Sequence, residues 1–150
     1  ILVQGLTTEP GTLVIIEQPE LHLHPTAQAN LSDFFVEAAN KTGCRFLLET
    51  HSEHLLLRFR YHVSNTTLHN RQKKHKRNQQ IHYEITPDYL NLLFVSRVAE
   101  RYYSELACLR LNEYGDILNI PETFQEFFAD DAIEIMKITN AAFEAESLKE

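Results

Sequence analysis

Two short polar clusters in the first third of the chain contain the side chains best suited to chemistry. Residues 17–20 are Glu-Gln-Pro-Glu and residues 49–52 are Glu-Thr-His-Ser, and each cluster follows an apolar run. A carboxylate fixed at the end of a buried strand can orient a hydrated Mg²⁺ ion, which prefers oxygen ligands. An acidic cluster is equally typical of a solvated loop, so spacing alone leaves both interpretations open.

The segments around both clusters predict alternating strands and helices. Residues 12–16 and 44–48 are apolar apart from Thr12 and Arg45, which is typical of parallel strands covered on both faces. Pro25 suits the first turn of a helix ending near residue 40, and Ser52 suits the cap of a second helix. This order predicts a right-handed parallel unit with both polar clusters at the carboxyl edge of the sheet.

The remainder of the chain predicts a different organisation. Residues 63–88 are polar and basic, so we expect a surface loop there. The β-rich runs 92–98 and 104–111 predict an antiparallel hairpin, and two further helices are expected over 121–128 and 131–148. The predicted division is residues 1–62 as the first unit, 63–88 as the loop and 89–150 as a small C-terminal appendage.

Composition excludes a membrane protein and indicates a reducing compartment. Of the 150 residues, 43% are hydrophobic and 23% are charged, but no apolar run reaches the roughly 18 residues of a membrane span. Cys44 and Cys108 lie in apolar runs and are expected to be buried free thiols, which favours the cytoplasm. Because the chain begins without methionine inside an apolar segment, we expect it to be part of a longer protein.

A basic segment interrupts a chain of net charge -7. Residues 71–77 contain no acidic residue, and their cations include Lys73, Lys74, Lys76 and Arg77. These side chains are expected either to contact the phosphates of DNA or RNA or to form a solvated surface. The sequence leaves both interpretations open.

Longer strings around the two clusters resemble a known family. Residues 14–25 are Val-Ile-Ile-Glu-Gln-Pro-Glu-Leu-His-Leu-His-Pro, and residues 48–55 are Leu-Glu-Thr-His-Ser-Glu-His-Leu. They resemble the Walker B strand and switch-histidine segment of ABC-type ATPases, especially the prokaryotic branch that includes the overcoming-lysogenization-defect proteins. Residues 109–128 resemble the small C-terminal domain of unknown function in a subset of these ATPases. The implied fold is α/β: a parallel-sheet half of an ABC-type (P-loop) nucleotide-binding domain, with a C-terminal β-hairpin and helices.

The resemblance also implies roles for individual residues. Glu17 lies at the position of the Mg²⁺-organising acid, which is usually aspartate, and Gln18 lies at the position of the catalytic glutamate. His51 lies where the switch histidine contacts the γ-phosphate. Because glutamine cannot accept a proton as a carboxylate does, either Gln18 orients a water or Glu20 acts as the base, and hydrolysis is expected to be slow.

The implied cofactors are ATP and Mg²⁺. The sequence contains no Gly-x-x-x-x-Gly-Lys-Ser/Thr loop and no serine-glycine signature stretch, so we expect this chain alone to be inactive and to bind ATP poorly. The implied partners of the parent protein are a second ATPase head in a homodimer, a nuclease, and DNA or RNA, in an anti-phage role.

Two other hypotheses remain. A zinc site is one hypothesis, because its usual ligand types are present in the histidines at 22, 24, 51 and 54 and in Glu20 and Glu53. Alternatively, the chain is a non-hydrolysing module that senses nucleotide or docks a partner, which Gln18 favours.

Overall fold

The computed structural model describes residues 9–73, 83–97, 103–121 and 124. These residues fall into two units, one containing the chain up to Leu90 together with Glu113–Gly115, and the other containing Asn91–Asn112 and the chain from Asp116 onwards. The elements in chain order are β1 Leu13–Glu17, α1 Pro25–Thr42, β2 Arg45–Glu49, α2 Glu53–Lys73, a 3₁₀ turn at Pro87–Tyr89, β3 Leu92–Arg97 and β4 Ser104–Leu109.

The first unit is built on a two-stranded parallel sheet. β1 pairs with β2 in a register that runs from Leu13 opposite Arg45 to Glu17 opposite Glu49. Parallel strands need a long crossover, and α1 supplies it between them. The predicted α/β class and the predicted parallel pairing are both confirmed for the described residues.

Local sequence sets both ends of α1 and the beginning of α2. Pro25 begins α1, where its missing N–H leaves no hydrogen bond unmade, and Gly43 ends the helix with a left-handed φ of 71°. The backbone N–H of Leu55 donates to the Ser52 hydroxyl over 3.1 Å. Ser52 therefore caps α2, as predicted.

The core of the first unit lies between the helices and one face of the sheet. Phe35 and Val36 of α1 pack with Leu55 and Phe59 of α2, and the sheet contributes partly buried apolar side chains to the same cluster: Ile16, Phe46 and Leu48. Full burial of one such side chain contributes about 1.5–3 kcal/mol relative to exposure. This cluster fixes the sheet edge relative to both helices.

The opposite face of the sheet is open. Leu13, Ile15 and Leu47 are 49%, 66% and 49% exposed. Successive side chains of a strand point to opposite faces, and the described helices cover only one of them. The prediction that these strands are covered on both faces is therefore wrong for the described part of the chain.

The prediction of a surface loop from residue 63 is wrong for residues 63–73, which continue α2. Val63 and Thr66 are fully buried, and the Thr66 hydroxyl accepts a hydrogen bond from the backbone N–H of Ile85 over 3.1 Å. Tertiary packing at these two positions extends the helix through an otherwise polar stretch. Residues 74–82 of the predicted loop lie outside the described residues.

Gly115 is required by its conformation and by its neighbours within the first unit. Its φ is 78°, and an added Cβ would lie 2.3 Å from the carbonyl oxygen of Arg60 on α2. Since both the left-handed conformation and the close approach exclude a side chain, the turn at Glu113–Gly115 depends on glycine.

The second unit contains the predicted antiparallel hairpin. β3 pairs with β4 from Leu92 opposite Leu109 to Arg97 opposite Ser104, and the rings of Phe94 and Phe124 make an edge contact with 5.0 Å between centroids. Both cysteines are free, but Cys108 is exposed while Cys44 is buried, so the predicted burial of Cys108 is wrong. In a two-stranded sheet, every second side chain of β4 points away from the packed face.

Two further expectations concern the termini and the membrane. The helices expected over 121–128 and 131–148 lie almost entirely outside the described residues. Among the helices that the structure describes, none combines the length and apolar character needed to cross a membrane.

Candidate functional site

The two polar clusters meet at the carboxyl edge of the parallel sheet, as predicted. Glu17 and Glu49 are the last residues of β1 and β2 and lie opposite each other in register. Both side chains are exposed and, because neighbouring strands lie about 4.8 Å apart, they leave the same face of the sheet side by side. Two adjacent carboxylates repel each other unless a cation or a hydrogen-bond donor lies near them.

The chain turns sharply after β1. Gln18 and His22 have positive φ values of 43° and 65°, which non-glycine residues adopt infrequently. The turns are closed by backbone hydrogen bonds from Leu21 N to Gln18 O over 3.1 Å and from Leu23 N to Glu20 O over 3.0 Å. Strained backbone of this kind is concentrated at functional sites, and here it leaves the Gln18 side chain exposed beside Glu17.

Glu20 points inward and joins the two clusters. It is 8% exposed, and its Oε1 accepts a hydrogen bond from the backbone N–H of His51 over 2.8 Å. Its Oε2 is buried and has no hydrogen-bond partner among the described residues. This carboxylate thus connects the turn after β1 with the segment after β2.

A second contact joins the same two segments. The Ser52 hydroxyl donates to the side-chain oxygen of Gln28 over 2.7 Å, and the Gln28 amide donates to the backbone oxygen of Leu23 over 2.9 Å. Ser52 is buried, whereas the side chain of His51 is 73% exposed. The main chain on both sides of His51 is fixed while its imidazole remains accessible.

The imidazole of His51 lies beside the acidic pair. Its Nε2 is 3.2 Å from Oε1 of Glu49. The edge therefore brings together the predicted residues Glu17, Gln18 and His51, with Glu49 as a neighbour and Glu20 beneath them. The arrangement combines carboxylate oxygens that suit a hard cation with an exposed imidazole that can donate to an anion.

A charged cluster between the helices was not predicted from the sequence. Asp33 of α1 accepts two hydrogen bonds from the guanidinium of Arg58 on α2, over 2.7 and 3.0 Å, and its Oδ1 lies 2.6 Å from Nε2 of His62. The spacing of four between Arg58 and His62 was the available signal, since it places both on one helix face. Nothing in the sequence identified Asp33 as their partner.

The pKa values of this cluster are shifted by burial and by the neighbouring charges. Burial lowers the pKa of His62, assisted by the positive charge of Arg58, and the hydrogen bond and charge of Asp33 oppose this only in part. Burial raises the pKa of Asp33, but hydrogen bonds from Arg58 and His62 and the Arg58 charge outweigh it, so the net pKa falls. Asp33 is thus ionised and His62 neutral near pH 7.

The arrangement of the possible ligands distinguishes the zinc hypothesis from the Mg²⁺ hypothesis. Among the described residues, no group of three or more His, Cys, Asp or Glu side chains is arranged to hold a metal ion, which gives the zinc hypothesis no support. Mg²⁺ commonly retains several waters and uses only one or two protein carboxylates. The exposed oxygens of Glu17 and Glu49 fit that requirement.

The basic candidates lie at the end of the described region. Lys73 is the last residue of α2, and Lys74, Lys76 and Arg77 lie outside the described residues. Arg71 at the start of the basic segment contacts Glu113 over 2.6 Å and lies over the Tyr114 ring, both within the first unit. Nucleic-acid contact by the remaining cations stays a prediction.

Comparison with protein families gives one result. Residues 6–56 match the model of a family described as an AAA ATPase domain. No curated protein and no solved structure matches the chain. The matched residues include both polar clusters and support an AAA-like ATPase fragment, that is, part of a nucleotide-binding ATPase. The relation to the overcoming-lysogenization-defect branch and to its C-terminal domain stays a prediction.

Proposed function

We propose that this chain supplies the Walker B and switch-histidine segments of an ABC-type ATPase that binds and hydrolyses ATP. The observation that carries the proposal is the meeting of both motifs at one sheet edge, with Glu17 opposite Glu49 and the Glu20 carboxylate bonded to the His51 backbone. The AAA ATPase match over residues 6–56 supports the same conclusion. ATP and Mg²⁺ are the proposed cofactors.

Each residue at the edge has a proposed role. Glu17, with Glu49 beside it, would hold Mg²⁺, which would neutralise charge on the phosphates. His51 donates to the γ-phosphate, for which its exposed imidazole is suited. Gln18 orients the attacking water, because its side chain is exposed at the edge whereas Glu20 is buried. Glu20 as the general base stays a weaker alternative.

The proposal extends to the parent protein. Because the sequence contains no phosphate-binding loop, we propose that this loop is supplied by residues outside it. We further propose a homodimer of ATPase heads in the cytoplasm, acting on DNA or RNA in anti-phage defence beside a nuclease. The basic segment at residues 71–77 supports the nucleic-acid part through its charge.

A second candidate function is a module that binds nucleotide without hydrolysing it. Gln18 favours it, since a glutamine at this position lacks the proton-accepting carboxylate of the usual catalytic acid. In this candidate, the edge senses ATP and the C-terminal appendage recruits a partner.

ATPase kinetics of the full-length protein test the proposal. We expect Glu17→Ala and His51→Ala each to lower kcat by about 100-fold, the typical effect of removing one donor or charge that stabilises a transition state. Gln18→Glu is expected to raise kcat by supplying a base. His54→Ala is the matched control, because it removes a neighbouring histidine without touching the proposed site.

The outcomes separate the two candidates. Normal turnover in both Glu17→Ala and His51→Ala would overturn the proposed roles. Nucleotide binding with no turnover in the wild type and in Gln18→Glu would favour the non-hydrolysing module.

A further inference from the structure

Two side-chain contacts hold the segment that carries His51, one from the turn after β1 and one from the first turn of α1. Glu20 Oε1 accepts from the His51 backbone N–H over 2.8 Å, and one residue later the Ser52 hydroxyl donates to Gln28 over 2.7 Å. The first contact crosses directly from one motif to the other. The second reaches Gln28 in the first turn of α1, whose amide donates to the backbone oxygen of Leu23 over 2.9 Å. The two motifs are therefore connected by side chains as well as by strand pairing.

These contacts fix the main chain and leave the imidazole free. Glu20 and Ser52 are 8% and 5% exposed, whereas the His51 side chain is 73% exposed. A side chain that must meet a ligand needs a fixed backbone, because small displacements of a catalytic group weaken its contacts. The burial pattern matches that requirement.

The buried carboxylate of Glu20 is not explained by a contribution to folding stability. One oxygen of its carboxylate is buried without a hydrogen-bond partner among the described residues, and an unsatisfied buried oxygen is unfavourable. The inward direction of Glu20 also depends on a turn bracketed by two positive-φ residues, Gln18 and His22. Features that reduce stability in a folded protein commonly have a functional reason.

We propose that Glu20 is a positioning residue: its carboxylate holds the His51 backbone so that the imidazole faces the ligand bound at the edge formed by Glu17 and Glu49. The inference rests on the proposed ATPase function and assigns Glu20 a role that needs no proton transfer. A carboxylate already bonded to a backbone N–H and shielded from solvent is better suited to holding the loop than to accepting a proton from water.

Substitutions that distinguish a hydrogen-bond acceptor from a proton acceptor at position 20 test this role in the full-length protein. Glu20→Gln keeps an acceptor oxygen at the same reach and is expected to keep kcat within about twofold, whereas Glu20→Leu removes it and is expected to lower kcat about tenfold with little change in the KM for ATP. In a His51→Ala background, Glu20→Leu is expected to change kcat by less than about twofold, because residues acting through one another are not additive. Glu84→Leu, at an exposed glutamate of the same unit, is the control.

Hydrogen exchange of the His51 amide gives a readout that does not depend on turnover. We expect this amide to be protected in the wild type and in Glu20→Gln, and to exchange at least about tenfold faster in Glu20→Leu. Equal exchange in all three proteins would overturn the contact. The Glu20→Gln variant is the mildest change, so it remains informative if Glu20→Leu fails to fold.

The kinetic outcomes are distinct from failure of the proposed function. Glu20→Gln as inactive as Glu20→Leu would indicate that Glu20 is the base and would overturn the positioning role, as would additive losses in the His51→Ala background. If the wild type hydrolyses no ATP, the proposed ATPase function itself fails. If His51→Ala is fully active, the proposed role of His51 fails while the ATPase function stands. In both cases the positioning role falls as well, even where the amide is protected.

Discussion

Two pairs of a histidine and a carboxylate in the described part of the first unit share chemistry but differ in environment. At the sheet edge, His51 Nε2 lies 3.2 Å from Glu49, and the two side chains are 73% and 50% exposed. Between the helices, His62 Nε2 lies 2.6 Å from Asp33, and these side chains are 1% and 15% exposed. The two pairs therefore differ in how far they can stabilise the fold and in how accessible they are to a ligand.

Burial and hydrogen-bond partners distinguish the two pairs. Asp33 is fully engaged by Arg58 and His62, its pKa is lowered, and the cluster links α1 to α2 beside the core. Glu49 and His51 face solvent, where a pair contributes little to stability because water screens it. The buried pair therefore stabilises the packing of α1 against α2, whereas the exposed pair is accessible to solvent and to a ligand.

The largest effect is expected from breaking the buried pair. Asp33→Ala removes the acceptor of Arg58 and of His62 together, and leaves the nearly inaccessible Nε2–H of His62 without a partner. We expect a loss of about 2–4 kcal/mol in the free energy of unfolding, measured by urea titration at pH 7. Arg58 retains access to solvent, which keeps the loss below that of a fully buried pair.

Asp88→Ala is the control for this prediction, since Asp88 is an exposed aspartate of the same unit. An Asp33→Ala protein as stable as Asp88→Ala would contradict the role of Asp33 in holding α1 against α2. It would also remove the distinction between the two pairs.

The sequence predicted the exposed pair's location better than the buried cluster. Apolar runs followed by acidic turns located the sheet edge, because strand polarity fixes where carboxyl ends meet. The Asp33 cluster and the buried role of Glu20 depend on how α1 faces α2 and how the turn after β1 is aimed. Those are properties of tertiary packing that residue spacing does not encode. The same applies to residues 63–73, where two buried positions, Val63 and Thr66, extend a helix through polar sequence.

The second largest expected effect is a pH dependence of the free energy of unfolding, caused by His62. Its pKa is lowered in the folded protein, so below about pH 6.5 the unfolded chain binds a proton that the folded chain excludes. Stability is therefore expected to fall as pH falls from 6.5, with a slope of at most about 1.4 kcal/mol per pH unit. Asp33, whose pKa is also lowered, adds a further loss of the same sign below about pH 4.

Unfolding free energies measured between pH 7.5 and pH 5 test the histidine contribution. His62→Gln removes the titrating group and retains a side-chain amide near Asp33, so it is expected to flatten the profile in this range. His51→Gln, which makes the same substitution at the exposed pair, is the matched control. An unaltered slope in His62→Gln would assign the pH dependence to another group.

The smallest change in the free energy of unfolding is expected at the exposed pair. Glu49→Gln removes one charge next to Glu17 and weakens the contact with His51, two changes of opposite sign at a solvated edge. We expect the free energy of unfolding to change by less than about 0.5 kcal/mol in either direction. If the full-length protein binds Mg·ATP, the same substitution is expected to raise the Mg²⁺ concentration needed for half-maximal turnover. A large loss of stability without any change in Mg²⁺ dependence would show that Glu49 acts as Asp33 does, and would place both histidine–carboxylate pairs in the structural class.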